Sequence, residues 1–277
     1  MRTLPSVMTM LILLSIALIV SACILPAKGA VTSITIKGGD YNFAAPAQVP
    51  AGLVSISFEN VGHEAHHVQL VQLNDGVTMD QVLAAFPQGD AAVFPLLKSI
   101  DGGVGPIEPG ASGHVTVKLA PGNYVLLCLL PSHDGVPHLA KGMVAPLTVT
   151  GQTPDHQPEP AADGTVTLVD FSFALPQAIK AGEQTWKITN QGTQPHEIAL
   201  VKLGSGKTMA DLMAFDAAAH STPPFTNVGG FQGLTPGASG WLHLNLTPGD
   251  YVAICHIPDA ASGKAHSELG MMLPFTV

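Results

Sequence analysis

Arginine is all but missing from this chain. Its 277 residues hold one, Arg2, and the remaining bases are ten lysines against 20 acidic residues, for a formal charge of -9. So little positive charge cannot neutralise a phosphate backbone, which excludes nucleic acid as a partner. Charge of either sign is sparse, at 11% against 46% hydrophobic residues, so the chain can bury a core and is not a disordered one. Cysteine is scarce too, with three in all, which excludes a disulfide-dense scaffold. What the chain has in quantity is punctuation. Its 29 Gly and 23 Pro break the apolar residues into short stretches, the composition of strands joined by turns, and its length allows two domains.

The N-terminus reads MRTLPSVMTMLILLSIALIVSAC: a positive charge, an apolar run from about Met8 to Val20, then small residues before Cys23. This is the layout of a secretory signal, and the run falls short of the roughly 20 residues that a spanning helix needs. Val20-Ser21-Ala22-Cys23 resembles the bacterial lipobox. That resemblance implies that Cys23 becomes the lipidated first residue of an exported protein held at a membrane surface. Cleavage without lipid is the alternative.

The remaining chain repeats itself. NVGHEAHHVQLVQL from Asn60 stands over NQGTQPHEIALVKL from Asn190, and PGASG occurs at Pro109 and again at Pro236. APGNYVLLC, ending at Cys128, matches TPGDYVAIC, ending at Cys255; GVPHLAKGM, ending at Met143, matches GKAHSELGM, ending at Met271. Residues 1–23 are therefore expected to be the export signal, 32–150 a first domain, 151–164 a Pro-rich polar linker and 165–277 a second domain of the same type. Short alternating or apolar runs predict strands at Thr32 to Lys37, Val54 to Phe58, His66 to Leu73, His114 to Leu119, Tyr124 to Leu130 and Leu147 to Thr150. Helical spacing appears at Thr78 to Phe86 and at its counterpart, Thr208 to Phe215. The expected fold class is all-β: two tandem β-sandwiches, each with a short inserted helix.

With Cys23 set aside, two cysteines remain, and an exported protein commonly joins such a pair. Cys128 and Cys255, however, hold one position in two copies of one domain, where a bridge would have to join equivalent interior strands. Each is expected to be free. Strand alternation turns both toward the core, and each is followed on one terminal loop by a histidine and a methionine: His138 and Met143, His266 and Met271. Upstream, His66 aligns with His196, and each shares a strand face with apolar neighbours. Two imidazoles, a thiolate and a thioether form a soft nitrogen and sulfur set. Zinc takes cysteine and histidine but rarely methionine, whereas His2Cys with a weak axial Met is the blue-copper set.

On these residues the chain resembles the cupredoxins, the plastocyanin and azurin family of Greek-key sandwiches. The segments Gly122 to Met143 and Gly249 to Met271 carry its G-x-Y-x3-C run followed by a loop histidine and a Gly-Met, and Pro195-His196 resembles its upstream ligand strand. The resemblance implies copper, up to two ions: one at His66, Cys128, His138 and Met143, the other at His196, Cys255, His266 and Met271, with Met272 an alternative to Met271. Two departures stand out. The gap from cysteine to histidine is long, as in copper nitrite reductases, and His67 or Glu197 stands where the family has an Asn tying its two ligand loops together.

The other histidines are expected to be ordinary. His114 and His243 should face solvent, His133, His156 and His220 should lie in loops or the linker, and His63, His67 and Glu64 should form no second metal site. Cys255-His256-Ile257 resembles the Cys-His-Ile of multicopper oxidases, but no His-x-His pair occurs in the chain, and leucines flank Cys128. A nitrite reductase or oxidase is disfavoured for want of second-site histidines. The leading expectation is an exported, lipid-anchored electron carrier whose redox partner is a protein such as a cytochrome. A copper carrier or store, and a metal-free binding module, are the alternatives.

Overall fold

The computed structural model describes residues 30–215 and 222–277, so Cys23 with the expected export signal, and His220, lie outside the described residues. Nine strands come from the first copy: β1 (Thr32–Gly39), β2 (Asn42–Ala44), β3 (Gln48–Pro50), β4 (Gly52–Asn60), β5 (His66–Leu73), β6 (Leu97–Ile107), β7 (Ser112–Leu119), β8 (Gly122–Leu127) and β9 (Val144–Thr150). Eight come from the second: β10 (Gly164–Val169), β11 (Ser172–Ala174), β12 (Gly182–Asn190), β13 (His196–Leu203), β14 (Phe225–Leu234), β15 (Ser239–Leu246), β16 (Asp250–Ile254) and β17 (Met272–Thr276). Short helices interrupt them: α1 (Met79–Ala85), α2 (Asp90–Val93) and α3 (Met209–Met213). The expected all-β class holds. Alternation builds the core, as in β4, where Val54, Ile56 and Phe58 are wholly buried and the serines between them are not.

The two sandwiches are fused edge to edge. One sheet runs β11-β10-β12-β15-β7-β4-β1-β2, the other β17-β16-β13-β14-β6-β5-β8-β9-β3. At the junction Phe231 pairs with Val104 and Leu242 with Val115, so each residue faces its own counterpart 127 positions away. A single approximate two-fold axis therefore pierces both sheets, and edges that would otherwise be open are paired. The segment between the two copies is pinned to the first, because Gln157 accepts the N–H of Leu53 at 2.7 Å and donates to the carbonyl of Ala30 at 3.0 Å.

The junction strands β6 and β14 are absent from the sequence expectation because their Gly and Pro content reads as turn. Their glycines serve close approach instead. A Cβ on Gly103 (φ +137°) would collide with the carbonyl oxygen of Val68, and one on Gly230 (φ +138°) with that of Ile198.

The inserted helices start where a capping box predicts. Thr78 Oγ1 accepts from Gln81 N at 3.3 Å while Gln81 Oε1 accepts from Thr78 N at 2.8 Å, and Thr208 and Asp211 repeat the pattern. Val82 and Ala85 of α1 then pack on the outer face of the sheet, against Val71, Leu73, Val125 and Leu127. Thr78→Ala should cost about 1 kcal/mol of stability. Thermal melting checks this, and an unchanged midpoint would show the cap to be idle. Among the described residues, no helix is long and apolar enough to cross a membrane.

Candidate metal centres

Each centre is built by one strand start and one looped return. His66 opens β5 on its inward face, with Val68 and Leu70 beyond it. Cys128 is the first residue past β8, and the chain then leaves the sheet, pairs Pro131 with Pro137, and turns back through a 3-10 turn at His138–Lys141. Backbone bonds hold the loop to its own ends. Leu139 N donates to the Cys128 carbonyl at 2.9 Å, Met143 N to His138 at 3.0 Å, and Cys128 N to Met143 at 3.2 Å. Gly142, at φ +105°, makes the reversal that brings Met143 back beneath the cysteine. The second copy repeats this: Ser267 N donates to Cys255 at 2.9 Å, Met271 N to His266 at 2.9 Å, and Cys255 N to Met271 at 3.1 Å.

The loops bring His66, Cys128 and His138 together, and likewise His196, Cys255 and His266, with the donor atoms of each set within 4.8 Å of one another. All six side chains are shut off from solvent. In the first set the two Nδ1 atoms are 3.0 Å apart and Cys128 Sγ is 3.4 Å from His138 Nδ1; in the second these distances are 3.0 and 3.3 Å. Both cysteines are free, so the bridge weighed above is not formed.

The proton count shows what such a set can hold. His66 Nε2 lies 3.3 Å from Asp40, His138 Nε2 2.8 Å from Glu64, and His196 Nε2 2.8 Å from Asp170. A carboxylate accepts only, so these three Nε2 atoms carry the ring protons, and in the first centre the two Nδ1 lone pairs face one another. Burial meanwhile pushes the Cys128 thiol up to about 11 and the Cys255 thiol up to about 12. Each centre thus gathers two imidazole nitrogens and a potential thiolate with no Lys or Arg among them, and a metal cation would supply the positive charge. Soft sulfur with two imidazoles fits copper, and one ion could lie in each sandwich.

Met143 and Met271 are wholly buried on the same loops. Met272 is the first residue of β17 and packs with Val201, Leu212, Val252 and Ile254, which leaves Met271 as the residue bonded to Cys255 and His266.

Several residues around the centres were passed over in the sequence. Tyr41 and Phe171 both have φ of 63°, unusual for a residue with a side chain, and each turns its ring edge onto a loop histidine, 5.2 Å from His138 and from His266 respectively. The signal was present: Asp40-Tyr41-Asn42-Phe43 and Asp170-Phe171-Ser172-Phe173 keep the 130-residue spacing of the histidines.

His67 and Glu197 take a definite role. Leu129 N donates to His67 Nε2 at 2.7 Å and His256 N to Glu197 Oε1 at 3.0 Å, so each residue after the first histidine ties down the residue after the cysteine. Burial pushes His67 down to about 3, which keeps its ring neutral and able to accept, and pushes Glu197 up to about 7. No second site forms from His63, Glu64 and His67: His63 bonds Asp40, Glu64 bonds His138, and His67 is buried on the other face of its strand. His256 is exposed, as are His114, His133 and His156. His243 corrects an expectation. It is half-buried between hydroxyls of Thr116 (3.0 Å) and Thr185 (3.1 Å), because the junction with β7 covers it.

No protein-family model matches this chain, and neither does any curated protein. Among solved structures it is similar to a dithionite-reduced auracyanin from Roseiflexus castenholzii, at 27% identity over 44% of this chain and all of that one, with a TM-score of 0.32. It is likewise similar to auracyanin A, a blue copper protein of Chloroflexus aurantiacus, at 22% identity over 44% of this chain and all of that one, with a TM-score of 0.30. A copper-containing nitrite reductase from Thermus scotoductus matches at 12% identity over 88% of this chain and 60% of its own, with a TM-score of 0.25. At such scores the overlays carry no weight of their own, and the two centres stand on their own geometry.

Proposed function

We propose that this chain is a two-domain cupredoxin that carries single electrons on the outer side of a bacterial membrane, anchored through lipid at Cys23. The observation that carries the reading is the pair of buried His-Cys-His sets whose ring nitrogens and sulfur converge with no Lys or Arg among them. Copper in these sets would supply one-electron chemistry by moving between Cu(I) and Cu(II). Cys128 and Cys255 would hold it as thiolates and His66, His138, His196 and His266 through their ring nitrogens, with the thioethers of Met143 and Met271, buried on the same loops, as further soft donors. Asp40, Glu64 and Asp170 fix the rings from outside, and the loop bonds hold cysteine, histidine and methionine in one frame, so little needs to move when the charge changes. Burial keeps water out of both centres.

A catalytic copper needs further ligands and an open position. Among the described residues the two triads are the only groups of three or more His, Cys, Asp or Glu side chains placed to hold a metal, and His256 belongs to neither. An electron carrier therefore fits better than an oxidase or a nitrite reductase. For a partner we favour a basic redox protein such as a cytochrome, given the charge of -9. Val61, Leu129 and Val136, exposed at 59%, 40% and 40% on the loops that frame the first centre, support docking there.

The test uses the chain from Ile24 onward, loaded with Cu(II), as parent, Cys128→Ser and Cys255→Ser. Two coppers per parent chain, and an intense thiolate-to-copper absorption that halves in each variant, are expected. Copper that binds without this band, or survives both substitutions, would sink the reading. Reversible reduction and reoxidation separates an electron carrier from a copper store.

A further inference from the structure

The two centres share their donors but differ in what holds the rings from outside. In the first, both histidines meet a carboxylate: His66 Nε2 meets Asp40 at 3.3 Å, and His138 Nε2–H donates to Glu64 Oε2 at 2.8 Å. Glu64 is itself held, since Tyr41 Oη–H donates to its Oε1 at 3.2 Å, and the Lys141 ammonium reaches Tyr41 Oη at 3.4 Å and Asp134 at 2.7 Å. In the second, Asp170 holds His196, but the buried His266 Nε2 has no partner. Gln194 stands in place of Glu64 and turns away, donating to Asp259 at 3.1 Å and accepting from Ala260 N at 3.2 Å. Phe171 stands in place of Tyr41 without its hydroxyl, and Leu269 in place of Lys141. The repeat supplies its own control: the same frame, with the anion on the loop histidine present once and absent once.

A carboxylate on the outer N–H makes an imidazole the stronger donor, and an anion so close in a water-poor setting favours the more highly charged metal. Two carboxylates are buried near the second centre: Glu197 accepts from the amide of His256 and Asp259 from Gln194, and neither is hydrogen-bonded to a ligand ring. We infer that Glu64 is a positioning residue that makes the first copper site the weaker oxidant, so that a single electron entering the protein comes to rest on the second. The inference rests on the copper reading above and deepens it by giving the molecule an internal direction. Strand spacing of ~4.8 Å across three strand intervals and a rise of ~3.3 Å per residue put the two centres about 25 Å apart, on opposite sides of the two-fold axis. Each end of the fused sandwich would then present a site of its own potential.

The experiment uses the copper-loaded full chain with one centre silenced at a time, Cys255→Ser leaving the first and Cys128→Ser the second, and follows each thiolate-to-copper band through a redox titration. Removing an outer partner of a ligand histidine changes metal affinity by about 10-fold to 100-fold. The second centre should accordingly be reduced first, with a Cu(I) to Cu(II) ratio about tenfold higher at equal applied potential, which for a one-electron couple is 59 mV. Glu64→Gln should raise the first centre by a similar factor. Tyr41→Phe, which copies the second half and so keeps the fold, should raise it by less, and Gln194→Glu should lower the second. A brace without an electronic role would cost stability and leave the potential in place. Equal potentials, or no upward shift in Glu64→Gln, overturn the inference. Absence of the band from both single-centre variants overturns the copper reading, and this inference with it.

Discussion

Copper uptake should release about one proton per centre at neutral pH and tighten about tenfold with each further unit of pH. The cause is burial. In the metal-free chain it pushes Cys128 up to about 11 and Cys255 up to about 12, so both thiols are protonated at pH 7, while the ligand is the thiolate. Burial also lowers His66 and His266, so these rings are neutral there and release nothing. Calorimetry at one pH in two buffers of different ionisation enthalpy counts the protons, and a count near zero would exclude thiolate ligation. The same shifts act on the metal-free fold with a definite sign. A thiol whose folded pKa is raised above its unfolded value of ~8.5 binds its proton more tightly when folded, so its contribution is complete below that value. It is lost as pH rises toward about 11 for Cys128 and about 12 for Cys255. At about 1.4 kcal/mol per unit the full loss is on the order of 3 kcal/mol for Cys128 and about 5 kcal/mol for Cys255. Urea melts of the metal-free chain from pH 8 to 11 should show this decline. The Cys128→Ser, Cys255→Ser double variant should not.

The internal repeat made the triads legible before any coordinates: His196 lies far upstream of Cys255, and only the match with His66 and Cys128 singled it out. Strands with clean alternation, such as β4 and β5, were legible for the same reason that they fold, since one face of each must leave water. The junction was not. In β6 and β14 the glycines that allow two central strands to come together carry no apolar side chains, so close approach and turn look alike in sequence. The outer ring of carboxylates was missed for a different cause. Asp40 and Glu64 are short-range loop residues by composition, and nothing in their spacing tells which imidazole nitrogen they will meet until the 3-10 turn has set His138 in place. His67 was expected to be ordinary because its neighbour carries the chemistry, yet strand alternation already put it on the opposite face.

Replacing His67 by alanine should cost about 3 kcal/mol and weaken copper at the first centre about tenfold, while asparagine should recover most of both. Its Nε2 is the acceptor for the N–H of Leu129, at 2.7 Å, and Leu129 directly follows the cysteine, so this one bond fixes the exit of the ligand strand. Alanine leaves that N–H unpaired, a loss of roughly 1–3 kcal/mol, and opens a cavity where the ring was, which adds a comparable amount. The ring is also imperfectly served as it stands, since its Nδ1 is buried with no partner. An asparagine carbonyl can accept the same N–H, so the Asn variant should recover most of the lost stability. The second centre should not respond, because its own tie runs from His256 N to Glu197 at 3.0 Å; Glu197→Ala should reverse the pattern, loosening the second centre alone. Melting and copper titration of both alanine variants in the single-cysteine backgrounds decide the matter. A His67→Ala chain that melts and binds copper like the parent would mean that the loop bonds between Cys128, His138 and Met143 hold the ligand strand without help from the neighbouring ring.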